Sequence, residues 1–268
     1  MAQGRAEIKA LLDAHGLRPR RALGQNFLAD PNLVDRIVRT AGVGAGERVV
    51  EIGAGTGTLT AALAASGAGV VAYEVDRKLV PLLEEVLTGT GVDLRCVDAT
   101  KVDLGNDLGE GPWTMVANLP YNVGTPLVLD VLRNVPAVCR LIVMVQREVA
   151  DRFVARPGSR SYGVPSIVVS LHTQTEIAFT VPPSVFYPAP EVESAVLAMS
   201  RIESSPQSEA AIDLAGIVFG QRRKMLRRSL ADVCDDAVAT LQEAGIDATA
   251  RPEDLEPGAF LRLAEVMA

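Results

Sequence analysis

No apolar run in this 268-residue chain reaches the roughly 18 residues that a membrane-spanning helix requires. Its opening stretch, MAQGRAEIKALLDAHG, mixes charged with apolar positions and lacks the continuous apolar core of a secretion signal. A cytoplasmic protein with no membrane partner is therefore expected. Cysteine and histidine are scarce as well. The three cysteines, Cys96, Cys139 and Cys234, lie far apart, and the only histidines are His15 and His172. An odd number of dispersed thiols makes no disulfide scaffold, and none has metal-ligand spacing, so no metal site is expected. Excess positive charge is also missing: 26 basic against 33 acidic side chains give a net −7. That sum alone argues weakly against nucleic acid. Affinity for phosphate follows local patches, however, and two segments reverse the sign. Residues 219–230 hold Arg222, Arg223, Lys224, Arg227 and Arg228 with no acid, and residues 140–160 hold five arginines against Glu148 and Asp151. An RNA partner stays open.

What is present is a core-forming composition, 48% hydrophobic and 22% charged, which suits one large domain with or without a small appendage. Residues 4–14 have a helical pattern, and Asp30-Pro31 reads as an N-cap followed by a first-turn proline. From Arg48 onward, short apolar runs at 49–52, 70–75, 94–97, 113–117 and 141–145 alternate with helical stretches. Runs of that length read as parallel strands covered on both faces, a doubly wound α/β sheet. A helix near 163–172 and two further strands, 175–181 and 192–199, follow, the latter pair able to lie antiparallel at the sheet edge. Residues 203–209 read as a linker, which predicts a catalytic domain over 1–202 and a small helical domain over 203–268.

Five segments carry chemistry. Glu51-Ile-Gly-Ala-Gly-Thr-Gly leaves the first strand of the sheet and enters a helix, with Gly53, Gly55 and Gly57 allowing a tight turn and close ligand approach. The glycine spacing differs from the dinucleotide pattern, and Glu51 would repel a pyrophosphate but suits a ligand bearing an ammonium and a sulfonium. S-adenosylmethionine fits better than NAD. Glu74, at the end of the next strand, stands where ribose hydroxyls would sit, and Asp98, after the third, where an adenine amine would. Asn118-Leu119-Pro120-Tyr121-Asn122 is the most specific signal. An adenine amine is a poor nucleophile because its lone pair is delocalised, so an asparagine carbonyl and a backbone carbonyl accepting its hydrogens favour a pyramidal nitrogen, while a tyrosine stacks on the base. Phe186, in a proline-stiffened loop, is either a second stacking aromatic or a core residue of an edge loop.

Gly24-Gln25-Asn26-Phe27-Leu28, the Glu51 turn, Asn118 to Asn122 and the Phe186 loop, in this order, resemble the KsgA (RsmA) family of ribosomal RNA small-subunit adenine dimethyltransferases. The likeness extends to residues 219–230 and to Arg251-Pro252-Glu253-Asp254-Leu255. It implies a Rossmann-like class I S-adenosylmethionine-dependent methyltransferase sheet with a small C-terminal helical domain. It also implies dimethylation of two adjacent adenines in a loop near the 3′ end of 16S rRNA, within a 30S subunit or its precursor, by a monomer. Carried over by position, Asn26, Leu28, Gly53, Glu74, Asp98 and Asn118 contact the cofactor, Asn118 to Tyr121 hold the amine, and Phe186 stacks on the base. Thr56, where many members have leucine, is expected to be silent. Residues 203–268 carry 7 basic and 12 acidic side chains, which confines their expected RNA contact to an amphipathic helix bearing Arg222 to Arg228. Large-subunit resistance methylases, which in this reading lack Arg222-Arg223-Lys224 and Arg251-Pro252, and a non-catalytic assembly factor are the alternatives.

Overall fold

Val49 to Ile52, Val70 to Tyr73 and Met115 to Ala117 are buried at every successive position, the behaviour of central strands covered on both faces. The computed structural model describes residues 3–268. Its strands are β1 (Phe27–Leu28), β2 (Arg48–Ile52), β3 (Gly69–Tyr73), β4 (Asp93–Arg95), β5 (Trp113–Asn118), β6 (Val138–Gln146), β7 (Thr173–Val181), β8 (Phe186–Tyr187) and β9 (Ser194–Arg201). Seven of them form one sheet in the order β4-β3-β2-β5-β6-β9-β7. The first five in that order run parallel, and β9 is antiparallel to β6. This is the strand order and C-terminal helical complement of a class I methyltransferase. β1 and β8 make a separate antiparallel pair, Phe27 opposite Tyr187 and Leu28 opposite Phe186.

The order in which strands are added to the sheet reverses at β2, which has β3 on one side and the parallel β5 on the other, with Val50 opposite Met115. The loops leaving β2 and β5 diverge to opposite sides, so the sheet itself opens a crevice at their carboxyl ends. The glycine turn leaves β2 and the Asn118 segment ends β5, which puts both motifs at that crevice. Local signals hold the connecting helices in place. Asp30 accepts from the Asn32 and Leu33 amides at 2.9 and 3.3 Å, capping helix Pro31–Ala41, and Gly42 closes it in the left-handed conformation.

Packing divides the chain into two compact units. One comprises residues up to Ala150 with Glu176–Ser200, and the other Asp151–Thr175 with Arg201–Ala268. The helical unit thus takes in residues 151–175, which the sequence reading placed in the catalytic domain. There the Tyr162 hydroxyl donates to the Leu255 carbonyl at 2.7 Å, and the rings of Tyr162, Phe219 and Phe260 lie in a row at centroid distances of 6.0 and 6.2 Å. Contacts of this kind join positions some 40 to 100 residues apart, and a local pattern in sequence carries no trace of them.

One expectation fails in this unit. Residues 219–230 do not form a single amphipathic helix. Helix Ser208–Phe219 ends, turns follow, and only Leu226–Ser229 is helical again. Met225 has an extended backbone (φ −63°, ψ 140°), and the Leu226 amide donates to Ala250 at 2.8 Å instead of to the preceding turn. Met225, which a single amphipathic helix would bury with Leu226 and Leu230, is 37% exposed.

Candidate active site

The crevice at the ends of β2, β3 and β5 opens into a cleft of about 590 Å³ lined by Asn26, Leu28, Glu51, Gly53, Gly55, Glu74, Asn118 and Pro120, among others. An adjoining hollow is lined by Asp98, Val97, Val75 and Asn122. A third cleft, on the other side of Gly24 to Asn26, is lined by Tyr121, Asn122, Gln146 and residues 188–192. The structure therefore gathers most of the sequence-nominated residues at one sheet edge.

The glycine turn approaches its surroundings closely. Gly55 has φ +59°, and a Cβ there would stand 3.1 Å from the Phe27 ring; at Gly57 (φ +77°) it would meet Val86 at 3.0 Å. Both positions exclude a side chain by conformation and by contact. Gly57 does not line the cleft and serves the turn alone. Thr56 is buried, and its hydroxyl bonds that of Thr58 at 3.2 Å; Thr58 in turn donates to Gln3 at 2.7 Å. Thr56 is thus tied into a polar network with Thr58 and Gln3.

Glu51 is 1% exposed, and its Oε2 has no partner among the described residues. Burial, opposed by the neighbouring Thr60 hydroxyl and reinforced by the charge of Glu74, pushes its carboxyl up to about 8. A buried carboxylate oxygen left bare on a cleft wall is suited to a cationic ligand group. Glu74 accepts from the Gly55 and Asp76 amides, both at 2.8 Å, and burial raises its pKa. Each of its oxygens retains a lone pair for a ligand hydroxyl. Asp98 is more open. It accepts from the Thr100 hydroxyl at 2.7 Å and pairs with Lys101 at 3.1 Å, and the Thr100 hydrogen bond, with Lys101, lowers its pKa.

Asn118 donates through Nδ2 to the Asn26 carbonyl at 3.1 Å. That bond fixes the amide so that its oxygen is the atom left for another donor. The Pro120 carbonyl is used up, accepting from Val123 and Gly124 at 3.1 and 2.9 Å, whereas the Leu119 carbonyl accepts from no described residue. Two acceptors, Asn118 Oδ1 and Leu119 O, therefore stand free on adjacent residues. Leu119's own side chain is buried. Tyr121 is held by its hydroxyl to Ser194 Oγ at 2.8 Å, and burial raises its pKa.

Phe186 is placed differently from the stacking role implied by resemblance. It is 0% exposed, belongs to the apolar core with Leu28 and Val196, and lines none of the three clefts. Pairing of β8 with β1 is the reason, since it turns this ring inward. Arg5 donates to the Ser184 and Phe186 carbonyls, each at 2.8 Å, and so braces this loop. Sequence reasoning also passed over Gln3, Arg20, Asp76 and Ser194. The Glu74-Val75-Asp76 spacing was the available signal for one of them, two acids leaving a strand together.

The basic cluster separates by role. Arg222 is spent within the helical unit: it pairs with Glu253 at 2.7 Å and donates to the Ser159 and Arg160 carbonyls at 3.0 Å. Arg223, Lys224, Arg227 and Arg228 are exposed. Among the arginines of 140–160, Arg140 donates to the Ala41 carbonyl, while Arg156 and Arg160 are exposed. No helix of the described residues is long and apolar enough to cross a membrane, and no group of described side chains has the makings of a metal site.

Residues 16–268 match the family described as "Ribosomal RNA adenine dimethylase". "Ribosomal RNA small subunit methyltransferase A" of Magnetococcus marinus is 42% identical over 268 residues, covering 96% of this chain and 95% of that protein. The protein of the same name from Cutibacterium acnes is 41% identical, covering 98% and 93%. Among solved structures, a dimethyladenosine transferase from Plasmodium falciparum superposes with a TM-score of 0.75 at 22% identity, over 88% of this chain and 95% of that one, a likeness of fold. The 23S rRNA methyltransferase ErmE does so with a TM-score of 0.70 at 25% identity, over 90% and 99%.

Proposed function

Since the chain belongs to the ribosomal RNA adenine dimethylase family, we propose that it dimethylates the exocyclic amines of two adjacent adenines near the 3′ end of small-subunit rRNA, with S-adenosylmethionine as donor. The observation that carries the reading is the pair of free acceptors, Asn118 Oδ1 and Leu119 O, beside a cleft whose wall bears the Glu51 carboxyl with an unpartnered Oε2. When bound, the cofactor supplies an electrophilic methyl group on a sulfonium. Glu51 would face its ammonium, Glu74 would accept from the ribose hydroxyls, and Asp98 would accept from the adenine amine. Asn118 Oδ1 and Leu119 O would accept hydrogen bonds from the amine's two hydrogens before the first transfer and from the one that remains before the second, holding the nitrogen lone pair toward the methyl while Tyr121 stacks on the base; each transfer leaves S-adenosylhomocysteine and gives up one amine proton to solvent. No strong general base is required. A ribosomal substrate would have the enzyme work in the cytoplasm. Labelled methyl donor with unmethylated 30S or 50S subunits tests the proposal: label on 30S supports it, and label confined to 50S makes the chain a resistance-type enzyme.

Glu51 gives cofactor binding a pH dependence. With its pKa near 8, the carboxyl is mostly protonated at neutral pH in the free enzyme, and an ammonium ligand favours the ionised form. Binding then releases a proton, so affinity should rise from pH 6 to 7.5, by at most about tenfold per unit, below the range where an α-ammonium itself titrates, about 7.7–8.0. Calorimetry across that range checks it. Glu51→Gln should bind more weakly with a flat profile, and a wild-type profile already flat contradicts the assignment.

For the exposed basic cluster, Arg223→Ala with Arg227→Ala should weaken subunit binding equally for normal and altered target loops, because phosphate contacts position and do not specify. The slope of log affinity against log salt should flatten by about one unit per lost contact. Arg222→Ala should leave that slope alone and lower the melting temperature, since its guanidinium is bonded inside the helical unit. An unchanged slope in the Arg223, Arg227 variant removes these residues from the RNA interface.

A further inference from the structure

Gly24, Gln25 and Asn26 line both the cofactor cleft and the third cleft, which is lined by the proposed stacking residue Tyr121 and is taken as the base cleft, so one short stretch of chain is the wall between them. It belongs to no sheet. A single 3-10 turn, Arg21–Leu23, precedes it, closed by Gly24 at φ +65°. Side chains fasten it instead, and they converge on Asp76. This residue is 4% exposed; its Oδ1 accepts from Arg20 Nη1 at 3.0 Å and its Oδ2 from Gln25 Nε2 at 2.8 Å. Its own amide donates to Glu74 Oε1 at 2.8 Å. Gln25 Oε1 completes the ring by accepting the Arg20 amide at 2.8 Å.

A buried carboxylate with no further role would be costly, since desolvation disfavours its charge. Here its charge is answered by the Gln25 amide of the dividing wall, by the Arg20 guanidinium just before that wall and by the Lys78 backbone amide. The acid proposed to hold the ribose is thus linked through two hydrogen bonds to the wall of the base cleft. We propose that Asp76 is a positioning residue that couples the two clefts, so that nucleoside cofactor and RNA target each strengthen the binding of the other. This rests on reading the first cleft as the S-adenosylmethionine site. Thermodynamic reciprocity requires the same coupling factor in both directions.

The hydrogen-bond polarity supplies a rescue test. Asp76→Asn puts an amide donor against either the Gln25 amide or the Arg20 guanidinium and Lys78 amide. Gln25 cannot turn over to accept it without losing the Arg20 amide. Gln25→Glu added to Asp76→Asn restores an acceptor for both. The measurement is calorimetric affinity for S-adenosylhomocysteine, which cannot react, with and without saturating unmethylated 30S subunits. Wild type should bind it about 5- to 150-fold more tightly with subunits present, the usual span of such coupling. Asp76→Asn should bind about tenfold more weakly alone, with a coupling factor near one, and the double variant should recover both values to within about threefold. If Asp76→Asn fails to fold, Gln25→Ala and Arg20→Ala should each reduce the coupling. Wild type without coupling, an unaffected Asp76→Asn, a double variant no better than the single, or Gln25→Ala and Arg20→Ala variants that leave coupling intact each overturn the proposal. Wild type that binds no S-adenosylhomocysteine refutes the cofactor reading itself, and the proposal with it.

Discussion

Asn118→Ala should fold, bind S-adenosylmethionine within a few-fold of wild type, and methylate about 10²–10³ times more slowly, the scale of removing one preorganised polar group from a reacting centre. The structure sharpens the reason. Asn118 stands at the end of β5, where Nδ2 is anchored on the Asn26 carbonyl at 3.1 Å, so Oδ1 is presented in one orientation before substrate arrives. Alanine removes an acceptor that matters most as the amine becomes pyramidal, and the Leu119 carbonyl is left to act alone. Asn118→Asp is no conservative replacement, because a carboxylate oxygen would face the Asn26 carbonyl oxygen. Single-turnover rates at saturating donor, with calorimetry for the donor, separate chemistry from binding. An Asn118→Ala enzyme of near-normal rate contradicts the mechanism.

Phe186→Ala should destabilise the protein by about 3–5 kcal/mol, the range for removing a buried aromatic side chain and leaving a cavity. The ring is 0% exposed and packs in the core with Leu28 and Val196. Phe186→Leu should cost far less and keep most of the methylation rate at a temperature where it remains folded. Chemical denaturation and subunit methylation, run on both variants, decide the matter. A Phe186→Ala protein as stable as wild type but inactive would return the ring to the base-stacking role.

These two residues show where sequence was informative and where it was not. Asn118 stood in a motif whose order of atoms is its chemistry: an acceptor side chain, a backbone carbonyl and a proline turn are contiguous, and contiguous features survive in a sequence. The apolar runs of β2, β3 and β5 were legible for the same reason, as burial on both faces leaves consecutive hydrophobic residues. Phe186 was ambiguous because its environment is set by a two-residue pairing with β1, about 160 positions away. Arg222 looked like its exposed neighbours, yet Glu253 and two carbonyls take its guanidinium. That contact joins the Arg222-Arg223-Lys224 stretch to the Arg251-Pro252 segment, so two features that read as separate family marks are one structural contact. Asp76 was missed because its partners, Arg20 and Gln25, precede it by more than fifty residues.

Nucleoside analysis of 16S rRNA, recovered from unmethylated 30S subunits after incubation with the enzyme and S-adenosylmethionine, tests the central claim most directly. The account predicts two dimethylated adenines, adjacent to each other near the 3′ end, formed by wild type and lost with Asn118→Ala. Unmodified adenines in that loop, with dimethyladenine appearing only in 23S rRNA from 50S subunits, would contradict it.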